Sequence, residues 1–225
     1  MSIFTLRFRA PMLALQGAKI DGFPSELPIP TRSMITGIFG AALGLSRGEV
    51  DQLQAIQDHL RIAVAVHRRG VRIIDYQTAD LGKPYLKGPM WSSGISVMER
   101  EGLEKEGTRI QQRPYTCDAD MTVLVELLDG APFTASALLG SLDEPQRVLA
   151  FGRMSCPPSG RIAGAMLAAT TLEQAIADLQ GDIYLPVEAT TPTLGDLFVS
   201  IPGTRRWRDR RHGGVDVFVQ RSAKL

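Results

Sequence analysis

An α+β fold with a ferredoxin-like skeleton is the class that the sequence predicts, and three observations predict it. Apolar and polar residues alternate at Phe4, Leu6 and Phe8, and again at Ile62, Val64 and Val66, which is the period of half-buried strands. Helical segments with start signals, after Thr31 and after Pro132, stand between the strands. The elements run strand, helices, hairpin, long insertion, strand, helix, strand, which contains the strand-helix-strand repeat of ferredoxin-like folds. A shorter α+β part follows. The expected division is residues 1–160 and residues 161–225.

The first strand, Phe4 to Phe8, ends at Pro11. A loop through Gln16, Gly17, Lys19 and Gly22 leads to Pro30-Thr31-Arg32-Ser33. Pro30 fixes the chain before a helix over Met34–Leu45, and Thr31 or Ser33 can cap its first amides. Arg32 sits in the first turn, where the helix dipole disfavours a cation. Either an anion bound at the helix tip or a carboxylate elsewhere in the chain accounts for it. Gly37, Gly40 and Gly44 cost roughly 1 kcal/mol each in a helix interior, so they imply close approach of a neighbour. Ser46 to Glu49 matches a capping box for a second helix with Val50, Leu53, Ile56 and Leu60 on one face.

Ile62 to Val66, the turn Arg68-Arg69-Gly70 and the run Val71–Thr78 read as a hairpin. From Ala79 to Thr116 glycine and proline break the pattern, and an insertion of this length is usually functional or mobile. It holds Lys83, Tyr85, Lys87, Trp91, Arg109, Gln111, Arg113 and Tyr115. Cations interleaved with aromatics suit single-stranded nucleic acid, where bases stack on rings and phosphates meet cations. Met121–Leu128 reads as a strand, Phe133–Leu142 as a helix and Val148–Phe151 as a short strand.

A glycine-led loop, Gly152-Arg153-Met154-Ser155 to Arg161, follows directly. Glycine lets backbone approach a ligand, and serine hydroxyls with arginines suit phosphate. The GK[ST] ending of a P-loop is absent, which removes an NTPase reading. Ile162–Ala169 reads as a strand, and Thr170-Thr171-Leu172-Glu173 opens a short helix. Residues 186–202 read as loop with an apolar patch at Leu197–Ile201. Five arginines between Arg205 and Arg211 surround Trp207, as either a phosphate patch or a solvated run that meets acidic surface. Val215, Val217 and Val219 alternate as a last strand.

With 225 residues, 44% hydrophobic and 22% charged, the chain has the composition of a soluble globular protein. No apolar run reaches membrane-span length, and no membrane partner is expected. The N-terminus lacks a signal peptide's apolar core, and Cys117 and Cys156 suit neither a disulfide framework nor a zinc knuckle. The expected compartment is the reducing cytoplasm, and no cofactor or metal is expected. The formal net charge of +1 hides segregation: residues 1–79 carry 9 basic and 6 acidic side chains, 118–196 carry 3 and 11, and 203–225 carry 7 and 2. One acidic and one basic surface follow, and the local patch decides phosphate binding. No nucleophile elbow or HExxH motif is present. His67 with Tyr76 and Lys83 is the grouping available to a metal-independent ribonuclease.

Several stretches together resemble the CasD family, the subunit of type I-E CRISPR Cascade that holds the 5′ handle of crRNA. They are Pro11 to Gly17, Pro30 to Ser33 with Gly37 and Ala41 to Gly44, and Arg68-Arg69-Gly70 with Asp75 to Thr78. Arg113-Pro114-Tyr115 and Phe151 to Pro157 complete them. The chain departs from the family at Gln16, where the family often has Trp, and in the Arg205–His212 run. The resemblance implies an RRM-like RNA-recognition domain with a long β-hairpin thumb within about residues 79–116. It implies that the subunit caps the Cascade backbone, touches the large subunit and meets target DNA indirectly, while another subunit cuts the precursor. In type I-C the related subunit cuts pre-crRNA, so endoribonuclease activity is the alternative. The RNA-binding set expected is Gln16, Lys19, Thr31, Arg32, Ser33, Lys83, Lys87, Arg109, Gln111, Arg113, Tyr115, Gly152, Arg153, Met154 and Ser155.

Overall fold

A computed structural model describes residues 1–20, 23–80, 89–92, 97–99, 108–209 and 211–222, with backbone alone at 18–20, 23–24, 79–80, 89–92, 97–99 and 108–111. In chain order, β1 (Ser2–Arg9) precedes three short strands, β2 (Met12–Leu13), β3 (Gln16–Ile20) and β4 (Phe23–Glu26). Helices α1 (Arg32–Ala42) and α2 (Val50–Asp58) come next, then β5 (Leu60–Arg68) and β6 (Val71–Asp80). After β7 (Pro89–Ser92) and β8 (Val97–Glu99) come β9 (Thr108–Cys117), β10 (Asp120–Leu127) and α3 (Ala135–Asp143). The last part holds β11 (Ala163–Leu167), α4 (Leu172–Ile176), β12 (Asp182–Pro186), β13 (Leu197–Arg206) and β14 (Arg211–Arg221).

The fold is mixed α/β and dominated by antiparallel sheet. Seven strands join in the order β11-β1-β10-β5-β12-β14-β13, every neighbouring pair antiparallel. Residues beyond 160 therefore supply strands at both ends of the sheet that β1, β10 and β5 centre. A second sheet, β2-β9-β6, leaves this body, and β6 pairs with β9 from Val71–Cys117 out to Asp80–Thr108.

Alternation in β1 sends Phe4, Leu6 and Phe8 to one face and Ile3 to the other. The first face meets α1 and α3: Phe4 packs edge-on against Phe39 at 6.2 Å, and Phe8 stacks on Phe151 at 4.3 Å. On the second face, Ile3, Ala63, Ala65 and Leu124 meet Leu172 and Ile176 of α4. The small side chains of Ala63 and Ala65 leave room for this short helix.

Several sequence expectations shift. Helix α1 spans Arg32–Ala42, shorter at its end than expected, so Gly44 lies beyond it. At Gly40 a Cβ would stand 2.6 Å from Leu53 of α2, so close approach is required there, while Gly37 faces open space. The expected hairpin of Ile62–Val66 with Val71–Thr78 does not form. Strand β5 pairs with β10 and β12, and β6 turns away to pair with β9. Val148–Phe151 is not a strand, because Phe151 turns inward onto Phe8 and its amide meets the Cys156 carbonyl within the loop. Ser46 and Glu49 bond as half a capping box, but one turn ahead of α2, whose N-cap is Glu49 itself. At α4 the cap is Thr171 bonding the Gln174 amide, and Gln174 reaches back to the Thr170 amide. The apolar patch Leu197–Ile201, expected within a loop over 186–202, is the first half of strand β13, which runs on to Arg206.

Candidate nucleic-acid interface

The loop after Phe151 is shaped by what it packs on. Gly152 has φ +87°, and a Cβ there would overlap the Ala14 carbonyl oxygen. Only glycine meets both conditions without strain. The Ala14 amide bonds the Phe151 carbonyl at 3.0 Å, so the loop lies against the segment between β2 and β3.

This juxtaposition brings Arg153 to Gln16 and Tyr115, residues from three distant parts of the chain. Arg153 donates to Gln16 Oε1 at 2.7 Å and to the Tyr115 hydroxyl at 3.3 Å. Its guanidinium carbon stands 5.4 Å from the Tyr115 ring centroid, within cation–π range. Gln16 Nε2 in turn donates to the Pro114 carbonyl at 2.7 Å. Tyr115 is buried, Arg153 and Gln16 are half-buried, and Gly152, Met154 and Ser155 are exposed beside them. Among the described residues Arg153 bonds neutral acceptors only, so the site keeps a positioned positive charge. A fork of this kind suits a phosphate oxygen pair.

Neighbouring strands add to the same region. Gln16 pairs across with Glu26 of β4, and Glu26 accepts from Thr116 at 3.0 Å and from Arg72 at 2.6 Å. Arg113 lies opposite Asp75, Gln111 opposite Gln77 and Arg109 opposite Ala79 along the β6–β9 pair. Of Lys19, Arg109 and Gln111 the backbone alone is described, and Lys83 and Lys87 lie outside the described residues.

Thr31, Arg32 and Ser33 have internal partners. Thr31 caps α1 by accepting from the Met34 amide at 3.1 Å, and its hydroxyl is 3.0 Å from that of Ser33. Arg32 forms a two-bond pair with Asp216 of β14 and also reaches the Leu60 carbonyl at 3.5 Å. Burial pushes the Asp216 carboxyl above the ordinary range, and the Arg32 charge opposes that. The carboxylate account of Arg32 is the arrangement observed. Sequence reasoning missed Asp216, although it shares a strand face with buried Phe218, a placement that signals a paired charge. A packed path links this pair to the Arg153 cluster. Gly203 lies against Asp216, and Pro202 beside it lies against Gly17, the neighbour of Gln16.

His67 has both ring nitrogens engaged, Nδ1 at 2.7 Å from the Gln180 carbonyl and Nε2 at 2.8 Å from Thr122 Oγ1. Tyr76 is exposed on β6 of the other sheet. Buried Cys156 has its thiol pushed up by burial, against weaker pulls from Ser155 and Arg153. Among the described residues no group of three His, Cys, Asp or Glu side chains is placed to hold a metal ion. No helix among them is long and apolar enough to cross a membrane.

The arginine run docks on its own chain. Gln57 of α2 accepts from the Arg205 amide and Trp207 Nε1 at 3.0 and 3.2 Å and donates to the Arg205 carbonyl at 2.9 Å. Arg208 pairs with Asp51 at 3.1 Å, and Arg205 stands 5.2 Å from the Trp207 ring.

A model of the family described as CRISPR-associated protein (Cas_Cas5) matches residues 5–215. The CRISPR system Cascade subunit CasD of Escherichia coli (strain K12) is 27% identical over 237 residues, spanning 96% of this chain and 98% of that protein. A chain of a solved CRISPR RNA-guided surveillance complex matches with a TM-score of 0.71 at 22% identity, covering 99% of this chain and 90% of that one. A solved Cas protein matches with a TM-score of 0.58 at 23% identity, covering 97% and 92%. The two solved structures bear on the fold alone.

Proposed function

The chain belongs to the CRISPR-associated Cas5 family, and on that premise we propose that it is a non-catalytic subunit of a type I Cascade surveillance complex. In this reading it grips the 5′ handle of crRNA and caps one end of the complex's backbone in the cytoplasm. Its protein partners are the backbone subunits and the large subunit, and it meets target DNA through the guide. The strands β1, β10 and β5 with helices α1 to α3 serve as the ferredoxin-like RNA-recognition unit of residues 1–160, and the insertion at about residues 79–116, which continues the β6–β9 pair, serves as the thumb. Residues 161–225 act as the smaller C-terminal part.

The observation that supports the reading is the half-buried Arg153, held by Gln16 and Tyr115 and bonded to no carboxylate among the described residues. Arg153 would take a handle phosphate, with Gly152, Met154 and Ser155 exposed around it and Arg113 approaching from β9. Arg32 acts behind this surface by fixing α1 to β14, and Thr31 and Ser33 shape the start of α1 through the cap and their mutual bond. His67 is a fastening between β5, β10 and the segment before β12 rather than a proton shuttle.

The test measures binding of the full chain to a fluorescein-labelled RNA of the repeat-derived handle sequence, by anisotropy, in EDTA. Arg153→Ala is expected to weaken binding about tenfold or more, the scale of a charged hydrogen bond, with the RNA recovered intact. Wild-type affinity in Arg153→Ala, or discrete cleavage products in EDTA, overturns the reading.

A further inference from the structure

Beyond the Arg153 cluster the same loop borders a second basic feature. A cleft of about 530 Å³ opens where β1 ends, and Arg7, Arg9, Arg68 and Arg161 line it together with Asp118 and Ser159. Alternation puts Arg7 and Arg9 on the face of β1 opposite Phe4, Leu6 and Phe8. Arg68 arrives at the end of β5, and Ser159 to Arg161 arrive from the loop before β11. The loop is fastened there by the Ser159 amide, which donates to the Arg9 carbonyl at 2.9 Å.

The charges in this cleft are unequally matched. Arg7 pairs with Asp120 at 2.7 Å, and Arg161 donates two bonds to Asp143 at 2.6 and 2.7 Å. The Asp143 pair holds that carboxyl below its ordinary range. Arg68 donates to the Asp118 carbonyl oxygen, a neutral acceptor, at 2.5 Å. The Arg9 side chain is exposed and has no partner among the described residues. With Asp118 in the lining and Asp120 and Asp143 paired to Arg7 and Arg161, the guanidinium groups without a carboxylate partner among the described residues are those of Arg9 and Arg68. Arg9 and Arg68 are left to repel each other unless an anion joins them, and their planar forks match phosphate oxygens. The volume suits a nucleotide-sized group.

Position favours a polynucleotide over a free anion. The loop that carries Arg153 at one end carries Ser159, Gly160 and Arg161 at the other. Both ends are tied to β1 or the segment after it, through Ala14 at the Phe151 end and Arg9 at the Ser159 end. One continuous loop therefore fronts both basic features. We propose that the arginine cleft is a second nucleic-acid contact, which takes phosphodiester groups of the RNA strand held at Gln16, Tyr115 and Arg153. This rests on the handle-binding reading above.

The experiment titrates the full chain with labelled handle RNA extended by spacer sequence, over a range of sodium chloride concentrations, for wild type, Arg9→Gln, Arg68→Gln, Arg153→Ala and Arg47→Gln. Arg47 is an exposed arginine beside the start of α2 and away from the cleft. Melting temperature checks each fold, and Arg9→Gln removes no internal bond. Arg9→Gln and Arg68→Gln are each expected to weaken binding about five- to tenfold and to flatten the slope of log affinity on log salt by about 0.7, one phosphate contact on a single strand. Arg47→Gln is expected to match wild type. If both cleft variants keep wild-type affinity and slope while Arg153→Ala loses affinity, the cleft proposal falls and the handle reading stands. If no variant differs from wild type, both fall. If inorganic phosphate raises the melting temperature of wild type but not of Arg9→Gln, while RNA binding is the same in both, the cleft is a small-anion site and the proposal is overturned.

Discussion

Arg32, in the first turn of α1, and Asp216, in β14, form a two-bond ion pair with 23% and 15% of their side chains exposed. The pair joins the first helix of the chain to its last strand, across 184 positions of sequence. It also resolves the cation placed at the unfavourable end of a helix dipole, since the carboxylate supplies the negative charge.

Removing either partner leaves the other half-buried without its counter-charge. Arg32→Ala and Asp216→Ala are each expected to cost about 1.5–3 kcal/mol, the range for charged hydrogen bonds. The double variant is expected to cost less than the sum, because the bond can be lost once only. Urea melts of the three variants and wild type measure this coupling, and additive losses would assign Arg32 a partner other than Asp216.

Gly152 carries the second prediction. Gly152→Ala forces a side chain into the left-handed region and onto the Ala14 carbonyl. A loss of about 1–3 kcal/mol is expected, the cost of one strained backbone position. Handle affinity should fall with it, since Arg153 is the next residue. Gly160→Ala, in open space on the same loop, is the comparison for stability and should leave it unchanged.

What the sequence made legible was local. The alternation of β1 and β5, the Thr31 cap and the glycine-led loop follow from neighbouring residues, and each stands where the pattern put it. Pairing was not legible. Val71–Thr78 has the composition of a returning hairpin strand, yet β5 is already paired on both sides by β10 and β12. Long-range partners decide such cases, and single-strand patterns do not encode them. The Arg205–His212 run shows the same limit. Its charge density is obvious, but its fastening depends on Gln57, a buried amide in a helix about 150 positions away. The residues of the proposed interface were each visible as candidates, while the meeting of Gln16, Tyr115 and Arg153 was not.

Gln57 therefore makes a third prediction. Its one side chain satisfies two donors and one acceptor of β13 and Trp207 while itself buried. Gln57→Leu keeps the volume and strands those groups, at about 1–3 kcal/mol for a buried polar group left unpaired. Amide exchange should rise selectively at residues 205–209. Uniform protection there would mean that the Arg208–Asp51 pair and the Arg205–Trp207 contact suffice.

Acid should loosen the β12 end of the sheet. Arg69 holds the Asp182 carboxyl below its ordinary range by a direct hydrogen bond at 2.5 Å, against a smaller effect of burial. A depressed folded-state pKa means that the unfolded chain binds the proton more readily. The stability from this group is thus complete above the unfolded value, near pH 4, and is lost as pH falls through the folded one. Asp182→Asn should be less stable than wild type at neutral pH, and the gap should close on acidification below about pH 4. A gap constant across that window would mean that the pair contributes through shape and not through charge.

The Arg153–Tyr115 contact separates two roles for the same ring. Tyr115 packs in the core and also meets Arg153 through both its hydroxyl and its face. Tyr115→Phe removes the hydroxyl bond, long at 3.3 Å, and keeps the ring under the guanidinium. Handle affinity should change less than about threefold, under 1 kcal/mol. Arg153→Lys keeps the charge but loses the planar fork, and should fall well toward Arg153→Ala, since an ammonium cannot bond Gln16 and a phosphate in the same plane. Gln16→Ala frees the guanidinium to rotate and should weaken binding while leaving the salt dependence unchanged, because no phosphate contact is removed. Anisotropy titrations at two salt concentrations distinguish these effects. Wild-type affinity in Arg153→Lys would reduce the site to a point charge and remove the orienting role assigned to Gln16.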